Sequence, residues 1–264
     1  MWSLRYVCVV VMVIFVAYSK GKNDSLTVYN GPQRLIFGGK EFNIKDAPFM
    51  ALYFLSNGAF VCGACIIHER ILIYAAHCYN SKYRYYVKVG TDRIDGGQRH
   101  DIDETIIHPK YDPKKLNNDV ALIKLTKSLR FSDQVLRIRL APRNLVLDPG
   151  DMLVTMGFGR NEKYSPSPRL MKVKIPYMSN SECREMFERR NWPTVTGAMM
   201  CVGGVGGKDA CNGDSGGPLV FKHFLVGVVS YGDSNCGSMV PGVFARISAL
   251  RDFIDSAIFY LTRT

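Results

Sequence analysis

The sequence predicts an all-β protein that ends in an α-helix. Short runs of β-forming residues recur from Leu35 onward, many of them bounded by Gly, Pro, Asn or Asp. Met171, Val173 and Ile175 alternate with Lys172 and Lys174, the period-2 signature of a half-exposed strand. The 24 glycines and 12 prolines supply frequent turns, which disfavours a helix bundle. At 264 residues the chain has room for one large domain or two small ones. Its 47% apolar and 22% charged residues exclude a disordered, collagen-like or polytopic membrane protein.

Taken in order, the chain opens with Arg5 before an apolar run from Tyr6 to Ala17, followed by the small-residue site Ala17-Tyr18-Ser19. A spanning helix needs roughly 20 apolar residues, and this run is too short. Residues 1–19 therefore read as a secretory signal peptide, which predicts a secreted, extracellular chain with no membrane association after its removal. Residues 20–35 read as a propeptide, polar and cysteine-free, ending at Gln33-Arg34-Leu35 and carrying the sequon Asn23-Asp24-Ser25. Residues 36–264 form the main domain. Within it the β-type runs are 49–55, 60–67, 85–89, 119–125, 152–158 and 219–231. Ser179 with Glu182 fits a capping box that starts a short helix. Leu250, Phe253, Ile254, Ala257, Ile258 and Leu261 form one apolar stripe of a terminal helix, expected to dock on the body.

Cysteine usage follows from the compartment. Once Cys8 leaves with the signal, Cys62, Cys65, Cys78, Cys183, Cys201, Cys211 and Cys236 remain. Three bridges and one free thiol can be drawn among them in about a hundred ways. Cys62-Gly63-Ala64-Cys65 stands alone as a Cys-x-x-Cys, and His68-Glu69 lacks a second His four residues on, so no zinc site is expected.

Three local patterns carry chemistry: Ala75-Ala76-His77-Cys78, Asn118-Asp119-Val120-Ala121-Leu122, and Gly213-Asp214-Ser215-Gly216-Gly217-Pro218. A serine hydroxyl is a poor nucleophile at neutral pH and needs a base, for which His77 is the candidate. A carboxylate on the far ring nitrogen fixes the useful tautomer, and Asp119 suits that role. The anionic intermediate needs preorganised donors, which the Gly213 and Ser215 amides can supply. In the order His, Asp, Ser the three patterns resemble the chymotrypsin-like serine proteases, over Ile36 to about Phe259.

The resemblance implies two antiparallel six-stranded β-barrels with the site between them, His77 and Asp119 coming from the first and Ser215 from the second. It pairs Cys62 with Cys78, Cys183 with Cys201, and Cys211 with Cys236, leaving Cys65 over for an intermolecular bridge or, on the plainer reading, as a small apolar residue buried on a barrel strand. It makes Asp209 the floor of a trypsin-like pocket, with Gly232 and Gly242 as walls, and so implies cleavage of peptide bonds after Arg or Lys. Ala210, where trypsin itself carries a serine, shifts the preference toward Arg. It also implies a zymogen, in which Ile36 becomes the new N-terminus and its ammonium pairs with Asp214. The basic residue is Arg34, one position early for that register, so the expected cut follows Leu35 and the activating protease prefers large apolar residues.

Some residues depart from the family pattern. Tyr231 stands where Trp is usual, and the segment from Gly90 to His108 is shorter than the trypsin calcium loop, with Thr91 in place of its first glutamate. No metal and no cofactor is expected. Arg5 leaves with the signal, and Lys20, Lys22 and Arg34 against Asp24 leave with the propeptide, so the formal charge falls from +11 to +8. The partners expected are polypeptide substrates, the activating protease and protein inhibitors. Nucleic acid is excluded by secretion, and the enzyme is expected to be a monomer. Lys82-Tyr83-Arg84 and Arg184 with Arg189-Arg190 are candidates for an exosite toward acidic substrates or sulphated glycans, with ordinary solvated faces as the plainer reading. The rival function is a non-catalytic binding protein on the same fold, which loss of a triad residue would favour; all three are present.

Overall fold

The computed structural model describes residues 39–160, 165–211, 213–233 and 235–263. The segments read from the sequence as a signal peptide (1–19) and a propeptide (20–35), together with Ile36, lie outside the described residues. In chain order the strands are β1 (Lys40–Glu41), β2 (Met50–Leu55), β3 (Phe60–Ile66), β4 (Ile71–Tyr74), β5 (Tyr85–Val89), β6 (Gln98–Ile107), β7 (Ala121–Leu125), β8 (Arg139–Leu140), β9 (Met152–Gly157) and β10 (Met171–Met178). After helix α1 (Asn180–Glu188) come β11 (Met199–Gly203), β12 (Pro218–Phe221), β13 (Phe224–Tyr231) and β14 (Pro241–Arg246), and the chain ends in α2 (Ile247–Leu261).

Strands β2, β3, β4, β7, β6 and β5 pair in that order and close on themselves through β2 and β5. Strands β9, β10, β11, β14, β13 and β12 form a second ring, closed by β9 pairing with both β10 and β12. Both rings are antiparallel; β1 is added to β10, and β8 lies parallel to β13. Closure leaves no long unpaired edge in either barrel. Large side chains are fully buried in both barrels, among them Tyr53, Tyr74, Leu72 and Ile73 in the first and Phe244 in the second. Met171, Val173 and Ile175 are buried while Lys174 between them is exposed, as the alternation predicts.

Four of the twelve barrel strands escape the sequence reading, as do the two-residue strands β1 and β8. β6 is mostly polar and part-exposed, and becomes a strand because β5 and β7 pair with it on either side. β4, β11 and β14 are short and wholly or almost wholly buried, a pattern that periodicity alone does not mark as a strand. The run 219–231 is also corrected: it is a hairpin, broken at Lys222 and His223, with Lys222 in the left-handed region at φ 54. Neither residue is a usual turn former.

The Ser179 hydroxyl accepts from the Glu182 amide at 3.2 Å and caps α1. Helix α2 buries Ile247, Leu250, Ile254, Ala257 and Leu261 against β7, β13 and β14. Arg143 pairs with Asp252 and Asp255 on its outer face, which ties the helix to the body. The bridges are Cys62–Cys78, Cys183–Cys201 and Cys211–Cys236. Their sequence separations of 16, 18 and 25 are each worth about 3 kcal/mol of lost unfolded-state freedom. Cys65 is free and buried on β3, with Sγ 4.0 Å from Gly216 O.

Candidate active site

Antiparallel pairing of β4 with β7 sets Tyr74 opposite Ala121. The chain leaving β4 and the chain entering β7 therefore meet at the same end of the barrel. His77 lies in the 3-10 turn Ala76–Cys78 just past β4, and Asp119 lies just before β7. Asn118 takes the left-handed conformation, φ 54, that asparagine tolerates better than most side chains, and its Nδ2 donates to Lys110 O at 2.8 Å. This turn aims the Asp119 carboxylate at the histidine. Asp119 Oδ2 lies 2.7 Å from His77 Nδ1, and Oδ1 accepts from the His77 amide at 2.9 Å. Asp119 is 1% exposed and would be costly to bury without such donors. A third donor was not foreseen: Ser230 Oγ, at the end of β13, donates to Asp119 Oδ2 at 2.5 Å. It binds the second barrel to the carboxylate of the first, and only its place before Tyr231-Gly232 could have flagged it in the sequence.

Ser215 lies in the loop between β11 and β12. The Gly63 amide of β3 donates to Ser215 O at 2.8 Å, and the Gly216 amide donates to Val229 O at 2.9 Å, so the loop is held by both barrels. Gly216, at φ 77, packs so closely on Gly63 O that a Cβ would collide with it, and the Ala75 amide would be 3.4 Å from that Cβ. The serine backbone is thereby seated beside the strand end that leads to His77. Gly213 has φ 95, a conformation that side-chain-bearing residues resist. Among the described residues the Gly213 and Ser215 amides donate to no protein acceptor. Ser215 Oγ makes no hydrogen bond to His77 Nε2 in this conformation. In serine proteases the hydrogen bond between nucleophile and base is often long before substrate arrives.

Asp214 is 1% exposed and sits between two backbone donors: Oδ1 accepts from the Gly159 amide at 2.8 Å and Oδ2 from the Cys211 amide at 2.9 Å. Burial pushes its pKa up to about 6, although both amides favour the ionised form. Gly157 and Gly159 are required here, since a Cβ at either would run into the carboxylate.

A pocket opens beside Ser215, lined by Ala210, Cys211, Val229 to Asp233, Gly242 and Phe244. Gly232 and Gly242 face each other, a Cβ on the former lying 3.7 Å from the Cα of the latter. Behind Gly242 stands Asp209, whose Oδ1 would be 3.3 Å from a Cβ added there. Asp209 is 2% exposed, and its Oδ2 has no hydrogen-bond partner among the described residues. Burial pushes its pKa up to about 7, against the opposing effect of the Gly237 and Ala210 amides. The open space is about 40 Å³, enough for a few water molecules.

Cys62, His77 and Cys78 cluster closely enough to suggest a metal site, but the two sulfurs are joined and offer no thiolate. In the short loop after β5, Asp92 and Asp95 pair with Arg169 and Arg93, and on β6 Asp101 pairs with Arg99. Lys82 and Arg84 lie exposed before β5, whereas Arg184, Arg189 and Arg190 belong to or follow α1, where Arg189 pairs with Glu185. Among the described residues no helix is long and apolar enough to cross a membrane.

Comparison with known proteins adds an independent line. The trypsin family model matches residues 36–254. A vitellin-degrading protease of Bombyx mori is 34% identical over 228 residues, covering 84% of this chain and 85% of the relative. Trypsin 5G1 of Aedes aegypti is 33% identical over 223 residues, covering 83% of each. Among solved structures, neuropsin, a serine protease expressed in the limbic system of mouse brain, superposes with a TM-score of 0.75 at 29% identity, covering 83% of this chain and 98% of that one. The motif order, the paired barrels and these matches agree, and the chain belongs to the trypsin family of serine proteases.

Proposed function

We propose that the chain is the secreted precursor of a serine endopeptidase that cleaves after Arg in preference to Lys. The observation that carries the specificity is the buried, unpartnered Asp209 Oδ2 behind a glycine-walled pocket. A buried carboxylate lacking a cation is costly, and a substrate guanidinium can satisfy it with two parallel hydrogen bonds. Ala210 brings no hydroxyl to help hold a smaller ammonium, which supports Arg over Lys.

In the reaction, Ser215 Oγ attacks the scissile carbonyl while His77 Nε2 takes its proton. Asp119 holds Nδ1 in the protonated tautomer and stabilises the imidazolium, itself steadied by Ser230. The Gly213 and Ser215 amides receive the developing oxyanion. His77 then protonates the leaving amine, and water repeats the sequence on the acyl-enzyme.

Activation follows from Asp214. Cleavage after Leu35 would free the Ile36 ammonium, which can replace the backbone donors as partner of this buried carboxylate. Rearrangement at Asp214 pulls directly on Gly213 and on Cys211, a lining residue of the pocket, and can widen the narrow space to admit an arginine. Profiling the activated enzyme on matched Arg, Lys, Phe and Leu peptide substrates, with Ser215→Ala as control, tests the assignment. Higher kcat/KM for Phe or Leu than for Arg would refute the pocket reading. N-terminal sequencing of the active species tests the register, and full activity with Leu35 retained would overturn it.

A further inference from the structure

Away from the cleft, a groove of about 440 Å³ runs between the Phe42 to Phe49 segment, residues 136–139, strands β9 and β10, and the β12–β13 turn. Its floor is apolar, with Phe42, Phe49, Met156 and Val220, and Leu136 at its lip is 45% exposed. Its rim is cationic: Arg137, Arg139, Lys172 and Lys222 line it, against the single acid Asp46. Among the described residues none of these four cations forms an ion pair of 4.0 Å or less, and Asp46 is the one carboxylate in the lining.

Crowding sharpens the imbalance. Lys40 lies directly opposite Lys172 in the β1–β10 register, and like charges in that position destabilise a sheet. The Lys172 ammonium sits 3.5 Å above the Phe42 ring. Burial and the neighbouring Lys40 and Lys174 pull its pKa down, opposed by Asp46. At the hairpin tip a lysine, Lys222, occupies a left-handed conformation better suited to Gly or Asn.

We propose that this groove docks an acidic polypeptide segment, rich in large apolar side chains, from a partner protein. Charge complementarity selects the sign, since an anion would relieve the opposed lysines and pair the free arginines. The apolar floor selects the class. A sulphated glycan would meet the cations but leave the floor in water, whereas acidic and apolar side chains on one peptide fit both. The chain's own segment 20–34 is itself basic and matches poorly.

Docking needs no catalysis, so the test uses the full-length precursor and a short fluorescent peptide of Asp, Glu, Phe and Leu, which offers no Arg or Lys to cleave. We expect saturable binding, weakened about tenfold by the triple variant Arg137→Gln/Arg139→Gln/Lys172→Gln and by raising salt from about 50 to about 300 mM. Leu136→Asp should weaken it as well, and a Glu-only peptide should bind about tenfold less tightly. Lys82→Gln/Arg84→Gln should leave it unchanged. Absence of binding, equal binding by the triple variant, or loss on changing Lys82 and Arg84 would overturn the proposal. So would a heparin-type oligosaccharide that binds the groove more tightly than the peptide, or self-association in sedimentation that the triple variant abolishes.

Discussion

Replacing Asp209 by Asn should stabilise the precursor at alkaline pH while leaving the activated enzyme nearly inert toward arginine substrates. Burial holds the Asp209 carboxyl up at about 7, against an ordinary value of 3.8. Between those two values the folded chain keeps a proton that the unfolded chain has released. The unfolded state binds fewer protons there, so stability falls as pH rises from about 4 to about 7 and is level above. Three units correspond to about 4 kcal/mol at pH 8. An asparagine can still accept from the Gly237 and Ala210 amides and carries no charge, but its amide nitrogen lacks an acceptor, at a cost of about 1–3 kcal/mol. The expected net gain is therefore about 1–3 kcal/mol at pH 8, reversing near pH 4, where the wild-type carboxyl is already neutral. Asp214 titrates in both proteins, so its contribution cancels in the difference apart from its Coulomb repulsion with Asp209, which the substitution relieves and which adds to the expected gain. Denaturant unfolding of the disulfide-intact precursor, carrying Ser215→Ala in both backgrounds to prevent autolysis, reads this directly. After activation of Asp209→Asn alone, kcat/KM for Arg should fall about 10²–10³-fold, because the guanidinium loses its buried partner. Parallel stability curves across pH 4–8 would refute the burial argument, and an unchanged Arg-to-Phe ratio would refute the pocket reading.

Asp119→Asn should lower kcat by about 10⁴, the size of the wrong-tautomer effect in the related triad, while Ser230→Ala should lower kcat/KM by about tenfold through loss of one hydroxyl donor to Asp119; active-site-titrated kinetics measures both. Gly213→Ala places a side chain at φ 95 with its Cβ 3.1 Å from the Gly159 Cα, and should cost about 1–3 kcal/mol of stability and most of the turnover. Cys65, whose thiol burial pushes well above its ordinary range, should resist iodoacetamide at pH 8 in the folded precursor and react once denaturant is added; labelling at the rate of a free thiol would contradict its burial. Benzamidine should raise the melting temperature of the activated enzyme more than that of the precursor, whose pocket leaves about 40 Å³; equal shifts would contradict a pocket that widens on activation.

The candidate site was legible in the chain. Motifs around His77, Asp119 and Ser215 announce themselves because nucleophile, base and orienting carboxylate each need a particular residue type, and the glycines at 213 and 216 accompany backbone conformations that other residues avoid. Alternation at 171–175 and the stripe of α2 were legible because solvent on one face imposes a period. Strand β6 was not, since a polar strand owes its existence to neighbours on both sides rather than to its own pattern. The cysteine pairing needed the family resemblance, because spacing alone leaves about a hundred choices open. Three features belonged to the tertiary structure alone. Ser230 reaches Asp119 from 111 residues away along the chain, because the end of β13 in the second barrel approaches the start of β7 in the first. The orphaned Oδ2 of Asp209 exists only once the pocket is walled in. The cationic groove gathers residues from 42 to 223, none of them in a basic run long enough to stand out, while the run that did stand out, at 82–84, lies elsewhere. Charge along a chain becomes a field in space only after folding sets the distances, and Coulomb energy depends on those distances rather than on order in the sequence.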